Sequence, residues 1–247
     1  MPDDLFAHPR LAPLYDAFDS DRGDLPAYLE IVEALDPGHV VDVGCGTGTL
    51  ATLLAGTGRT VTGVDPAAAS LHVARAKPTA SPVTWLHGGA GELPAVWGAR
   101  PPADLALMTG NVAQVFLTDD DWAAALRGIH RVLRSGGHLV FEARRPEFRA
   151  WREWAADTAP VLRDVPGVGL VERHFGGLHV RLPLVSFRYE FHFHADRTVL
   201  TSDSTLRFRS RDEIAESLRT AGFDVLEVRD APDRPGRENV FLAQRAR

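Results

Sequence analysis

One stretch constrains this 247-residue chain more than any other: His39-Val-Val-Asp42-Val followed by Gly44-Cys45-Gly46-Thr47-Gly48. The short β-branched run has the length and composition of a buried strand. Glycines at alternating positions let the backbone turn tightly and let a ligand approach where no Cβ intrudes. A helix to about Ala55 follows, so the turn faces a helix N-terminus, where free N–H groups favour polar or anionic ligands. The spacing departs from a dinucleotide fingerprint, which needs its third glycine at position 49; Thr49 stands there and the glycine comes one residue early.

The rest of the chain fits that start. A helix is expected over Leu25–Leu35, stopped by Pro37-Gly38. Further strands are expected at 59–64, ending on Asp65, and at 83–87, 103–108 and 138–141. Pro66 suits the first position of the helix that follows the second strand. Thr118 with Asp121 opens a helix to Leu133, and Ser135-Gly136-Gly137 separates it from the fifth strand. Alternating strands and helices with short links predict an α/β fold, a Rossmann-like, doubly wound, mostly parallel sheet. After Arg144 the pattern changes. Residues 168–209 read as antiparallel strands separated by Gly176-Gly177 and Asp196-Arg197. Ser210 and Glu213 then cap a helix, and two last strands complete seven in the main sheet. The expected division is 1–36 as an N-terminal lid, 37–145 as the binding core, 146–209 as a β-rich cap and 210–247 as the return to the core.

Composition narrows the function. At 45% hydrophobic and 24% charged the chain has ample core material, and its net charge of −6 argues against nucleic acid, whose phosphates need clustered Lys and Arg. Cys45 is the one cysteine, which excludes an intrachain disulfide and leaves no Cys-based metal site. No apolar run approaches the roughly 18 residues of a membrane span. The start, MPDDLFAHPR, is unlike a signal peptide. A cytoplasmic location, no membrane partner and no metal are expected, and the oligomeric state is left open, a homodimer included.

The run Val-Asp-Val-Gly-Cys-Gly-Thr-Gly, the Val-Asp at the second strand end and Leu-Arg-Ser-Gly-Gly-His-Leu-Val before the fifth strand resemble the class I S-adenosylmethionine-dependent methyltransferases, those of natural products among them. The resemblance spans about residues 10 to 145. It implies that Asp42, Gly44, Cys45, Gly46, Thr47 and Gly48 hold the methionine portion of S-adenosylmethionine. Asp65 takes the ribose hydroxyls, though an N-cap beside Pro66 explains it as well. Gly89, Ala90, Gly91 and Glu92 flank the adenine; many relatives carry an aspartate at the place of Gly89, a departure that shifts adenine contact to backbone groups or Glu92. Thr109, Gly110, Asn111 and Gln114 follow strand four, where cofactor and acceptor meet, although a plain turn also accounts for Asn111 and Gln114. Tyr15 resembles a lid tyrosine, or else staples the N-terminus to the core.

Methyl transfer needs positioning more than covalent help, so the acceptor is less legible than the cofactor. The chain lacks the Asp/Asn-Pro-Pro-aromatic sequence of nucleic-acid amino-methylating relatives and the paired glutamates of protein arginine methyltransferases. A small-molecule acceptor remains, with an NAD(P) oxidoreductase or a non-catalytic cofactor-binding protein as alternatives. Along 187–194 aromatic residues alternate with Arg, Glu, His and His. Period two sets the aromatics on one face as core and the others towards solvent, or His192 and His194 over the cleft as bases. Arg144, Trp151 and Trp154 follow strand five and are expected to wall the acceptor, unless the tryptophans are a packing stripe.

Overall fold

Short apolar runs build the central sheet of the computed structural model, which describes residues 2–19 and 22–246. Strands β1 (His39–Val43), β2 (Thr60–Asp65), β3 (Val83–His87), β4 (Ala103–Met108) and β5 (Leu133–Arg144) are parallel neighbours. They join β10 (Phe223–Asp230) and β11 (Glu238–Arg245) in the order β3-β2-β1-β4-β5-β11-β10, with β11 antiparallel to both of its neighbours. Alternation explains the run of apolar residues. Val40, Leu105 and Leu107 pack on the side of the helices Leu25–Leu35 and Thr49–Ala55, while Val41, Val43, Ala106 and Met108 pack on the side of Asp119–Val132 and Arg211–Thr220. A sheet covered on both faces leaves no polar side to its central strands. The expected fold class is the one observed.

Helix ends follow local chemistry. The Thr118 hydroxyl accepts from the Asp121 N–H at 3.1 Å, and Ser210 and Glu213 form a reciprocal cap. Three local expectations need correction. Pro66 is not the first helical residue, because the helix opens only at Ala68. Ser135-Gly136-Gly137 does not separate helix from strand: β5 begins at Leu133, and its pairing with β4 slips between Leu133 and His138. A Cβ at Gly137 would fall 2.9 Å from the Arg134 carbonyl oxygen, so glycine lets the bulged backbone close up. Gly176-Gly177 likewise lie inside a strand as a bulge, and the chain reverses at Leu182-Pro183 instead.

The second sheet runs β6 (Val161–Val165), β7 (Gly169–Arg181), β8 (Leu184–Phe193) and β9 (Val199–Arg207), antiparallel throughout. It starts earlier than expected. Its inner face does not close on itself: Val165, Val171, Phe191 and Phe193 pack against Leu5, Leu11, Leu14 and Phe18 from the N-terminus. The Leu5 N–H donates to Ser202 Oγ at 2.8 Å, and Ser204 Oγ donates to Asp3 at 2.7 Å. The N-terminal segment is therefore part of the cap's core and lies between cap and main sheet.

Candidate active site

In an open parallel sheet ligands lie beyond the carboxyl ends of the strands, where neighbouring connections leave in opposite directions. Here the chain leaves β1 towards β2 and returns at β4, so that point lies between β1 and β4. A cleft of about 540 Å³ opens there, lined by the glycine turn, Asp65, the loop after β3, the loop after β4 and the N-terminal Phe6 and Tyr15. Its size falls in the range of cofactor sites, roughly 300–1,000 Å³.

The glycine turn is held by Asp65. One carboxylate oxygen accepts the Gly46 N–H at 2.8 Å and the other the Ala67 N–H at 2.7 Å. Asp65 thus ties the turn to the second strand and still faces the cleft, with lone pairs left for a ligand. Its pKa is raised by burial, against two backbone hydrogen bonds that lower it. The glycines divide the work. Gly46 has φ of +53°, and a Cβ there would meet nothing within 4 Å, so its bare face is turned to open space in the cleft wall. Gly48 does not line the cleft: a Cβ would lie 2.4 Å from the Trp85 ring, so it serves packing and, at φ +80°, the turn. Cys45 is buried and its thiol is pushed well above its usual range by that burial. Thr47 donates to Asp16 at 2.5 Å, and Asp16 also pairs with Lys77 at 2.7 Å, which latches the N-terminal segment onto the turn.

Asp42 lines the same cleft, and burial raises its carboxyl to about 7, with Arg22 opposing and Asp65 adding to the shift. Pro66, Gly89, Ala90, Gly91, Thr109 and Gly110 also line the cleft. Glu92 does not; its carboxylate accepts the Gly89 N–H at 3.0 Å and shapes the loop from behind. Tyr15 stands at the wall shared by this cleft and a second cavity, its hydroxyl pKa pushed up to about 12 mainly by burial.

That second cavity, about 150 Å³, adjoins the cleft at Tyr15, Arg22 and Gly110 and reaches the ends of β5 and β11. Asn111 lines it in a left-handed conformation, φ +61°. Its amide nitrogen donates to Glu238 at 3.2 Å, while its Oδ1 is buried without a partner. Glu142 takes hydrogen bonds from the Tyr28 hydroxyl and the Asn111 backbone N–H. Burial lifts the Glu142 carboxyl to about 7. Arg144 also lines the cavity, donating to Gln114 at 3.0 Å and lying 3.6 Å from Glu238.

Besides Gly48 and Glu92, four expected site residues are placed elsewhere. Gln114 lines neither cavity; its side chain joins Arg144 to the Arg207 carbonyl in the cap, because the short 3₁₀ turn Val112–Val115 swings it that way. Trp151 is buried against Val185 and Phe208, edge-on to Phe208 with ring centroids 5.0 Å apart, so it anchors the cap. His192 and His194 lie on the cap's outer face beside Glu190 and Glu172, since the aromatics of β8 take the core face. Sequence reasoning missed Arg22, Tyr28, Glu142 and Glu238. Glu142 did leave a signal, a lone carboxylate in the apolar run 139–143. Among the described residues no His, Cys, Asp or Glu cluster is arranged to hold a metal ion, and no helix is long and apolar enough to cross a membrane.

Residues 40–137 match the family model of a methyltransferase domain. Among individual proteins, the ubiquinone/menaquinone biosynthesis C-methyltransferase of Rubrivivax gelatinosus is 35% identical over 102 residues, 41% of this chain and 38% of that protein. Matched segments cover from 38% to 62% of the curated relatives' own lengths. A solved S-adenosylmethionine-dependent methyltransferase from Clostridium acetobutylicum superposes with a TM-score of 0.76 at 15% identity, covering 96% of this chain and 98% of its own. The sugar N-methyltransferase KedS8 from Streptoalloteichus gives 0.72 at 22% identity, covering 94% and 93%. At these identities the likeness is one of fold, second sheet included.

Proposed function

We propose that this chain transfers a methyl group from S-adenosylmethionine to a small-molecule acceptor. The observation that carries the reading is the cleft wall, where a turn with an open-faced Gly46 is tied by its N–H to Asp65 at the end of the neighbouring strand. A carboxylate so fixed can accept from vicinal hydroxyls, and the bare turn admits a ligand chain close to the backbone. Asp65 would hold the ribose, the turn from Gly44 to Thr47 with Asp42 the methionine portion, and Gly89 to Gly91 the adenine. When bound, S-adenosylmethionine supplies an electrophilic methyl group, which an acceptor lone pair takes as the C–S bond breaks and the sulfur keeps the bonding electrons.

The chain's own part is positioning. Thr109 and Gly110 bring backbone to the junction of cleft and second cavity, and Tyr15 closes that junction from the N-terminal side. Enclosing reactants in this way supplies high effective concentration and keeps water out. Resemblance to a sugar N-methyltransferase in overall shape makes hydroxylated acceptors the first to try. Calorimetry with S-adenosylhomocysteine, with NAD as the control, tests the cofactor; release of S-adenosylhomocysteine from S-adenosylmethionine in an acceptor panel tests the transfer. Tight binding of NAD and none of S-adenosylhomocysteine would overturn the reading in favour of an oxidoreductase.

A further inference from the structure

The second cavity is walled by more hydrogen-bonding capacity than its own residues satisfy. Glu238 is compensated, with Arg234 at 3.0 Å and Arg144 at 3.6 Å. Glu142 is not. It has no ion-pair partner within 4 Å among the described residues, and the charges that act on it most strongly are the carboxylates Glu238 and Asp24. Beside it, the buried Asn111 Oδ1 is a second acceptor left open, its orientation set because the amide nitrogen already donates to Glu238. Two open acceptors, one of them a carboxylate without a cation, face a cavity that joins the cleft at Gly110. Arg22, Arg144 and Arg234 of the same lining are engaged with Asp24 and Glu238. A group that enters beside Glu142 and Asn111 therefore meets acceptors and needs to bring donors, and a positive charge compensates Glu142 better than a neutral hydroxyl.

We infer that this cavity receives the acceptor's amino group, and that Glu142 binds it as an ammonium and then takes one of its protons. The inference rests on the proposed methyl transfer. The step is a simple proton exchange: an N–H bond breaks, its electron pair stays on nitrogen as the lone pair that attacks, and the proton forms an O–H bond on Glu142. After the product leaves, the carboxyl gives that proton to water. The surroundings suit the task, because burial brings the Glu142 carboxyl up to about 7, nearer the range of an ammonium than an ordinary carboxylate stands. The titratable and charged groups that share the cavity with Glu142 are Tyr15, Asp19, Arg22 and Asp24 ahead of the first long helix, Tyr28 on that helix, Arg144 on its own strand, and Arg229, Asp233, Arg234 and Glu238 from β10, the β10–β11 turn and β11, with Asn111 from the loop after β4 beside it.

The test uses the full chain saturated with S-adenosylhomocysteine and titrates it with ethanolamine and aminopropanediol, each against its uncharged match, ethylene glycol or glycerol. Each amine is expected to bind at least about tenfold more tightly than its match, the scale of one charge-assisted hydrogen bond. In Glu142→Gln that preference should vanish while S-adenosylhomocysteine affinity stays within about twofold, the two ligands occupying different cavities. The unmodified chain gives a second measurement that needs no variant: the amine preference should shrink as pH falls from 8 to 6 and Glu142 takes up a proton from solvent. Amines that bind no better than the alcohols, a preference that survives in Glu142→Gln, or one indifferent to pH overturns the inference and leaves the methyl-transfer reading standing. Failure of S-adenosylhomocysteine itself to bind overturns both.

Discussion

Single atoms at the glycine turn carry the most exposed part of the proposal. Gly46 combines a left-handed φ with an empty space where its Cβ would be, so Gly46→Val puts a branched side chain into the cleft and strains the turn together. Loss of measurable S-adenosylhomocysteine binding in a folded variant is expected by calorimetry; near-normal affinity would show that this glycine serves the turn alone. Asp65→Ala should weaken the same binding by roughly 10- to 150-fold through loss of charge-assisted hydrogen bonds. The structure adds a second consequence, because Asp65 also holds the Gly46 and Ala67 N–H groups. Thermal unfolding should therefore shift downward too, each orphaned buried donor costing about 1–3 kcal/mol. A full loss of affinity with unchanged melting would mean the backbone finds other partners.

At the scale of elements, the cap is a construction of two distant parts of the chain. Trp151 at the start of a short helix packs on Phe208 and Val185, and the N-terminal leucines fill the other end of the second sheet. Trp151→Ala should lower stability by about 3–5 kcal/mol, the cost of truncating a buried large aromatic, while cofactor affinity changes little. Melting temperature and calorimetry together check this, and an unchanged melting temperature would deny the anchor role. The same elements show what the sequence could and could not reveal. The parallel strands were legible because burial on both faces leaves unbroken runs such as Leu105–Met108, and helix starts because Thr118 and Ser210 act within three residues of themselves. Gly176-Gly177 misled because a glycine pair serves a bulge as readily as a turn, and only the partner strand decides between them. Trp151 was placed by nearness in sequence to strand five and His192 and His194 by one reading of the alternation along 187–194, whereas their positions follow from which face of the second sheet finds apolar partners. Arg22, Tyr28 and Glu238 gather around Glu142 from segments more than ninety residues away on either side, a meeting no local pattern announces.

Across the whole molecule, two buried carboxyls, Asp42 and Glu142, hold their protons to about pH 7 when folded, well above the ordinary carboxylate range of about 4. The folded chain keeps these protons where the unfolded chain has released them. Their contribution therefore favours folding at acid pH and is lost as pH rises from about 4 through about 7. The lowered pKa values of His39, His130 and His138, caused mainly by burial, act in the opposite direction, so the contrast with a variant is the informative quantity. Glu142→Gln keeps an uncharged side chain of the same shape, with the Tyr28 hydroxyl free to turn and accept. Its melting temperature should gain on that of the unaltered chain between pH 5 and 8, and parallel curves would show that Glu142 is not buried as a near-neutral acid. Both carboxyls face cavities that meet at Gly110, so the same arrangement that costs stability at neutral pH is what the two sites offer to their ligands. The central claim is that the larger of them is an S-adenosylmethionine site. Calorimetric titration of the unaltered chain with S-adenosylhomocysteine and, separately, with NAD measures it most directly. One S-adenosylhomocysteine per chain, with no heat from NAD, is the expected result; binding of NAD in its place, or of neither, would contradict it.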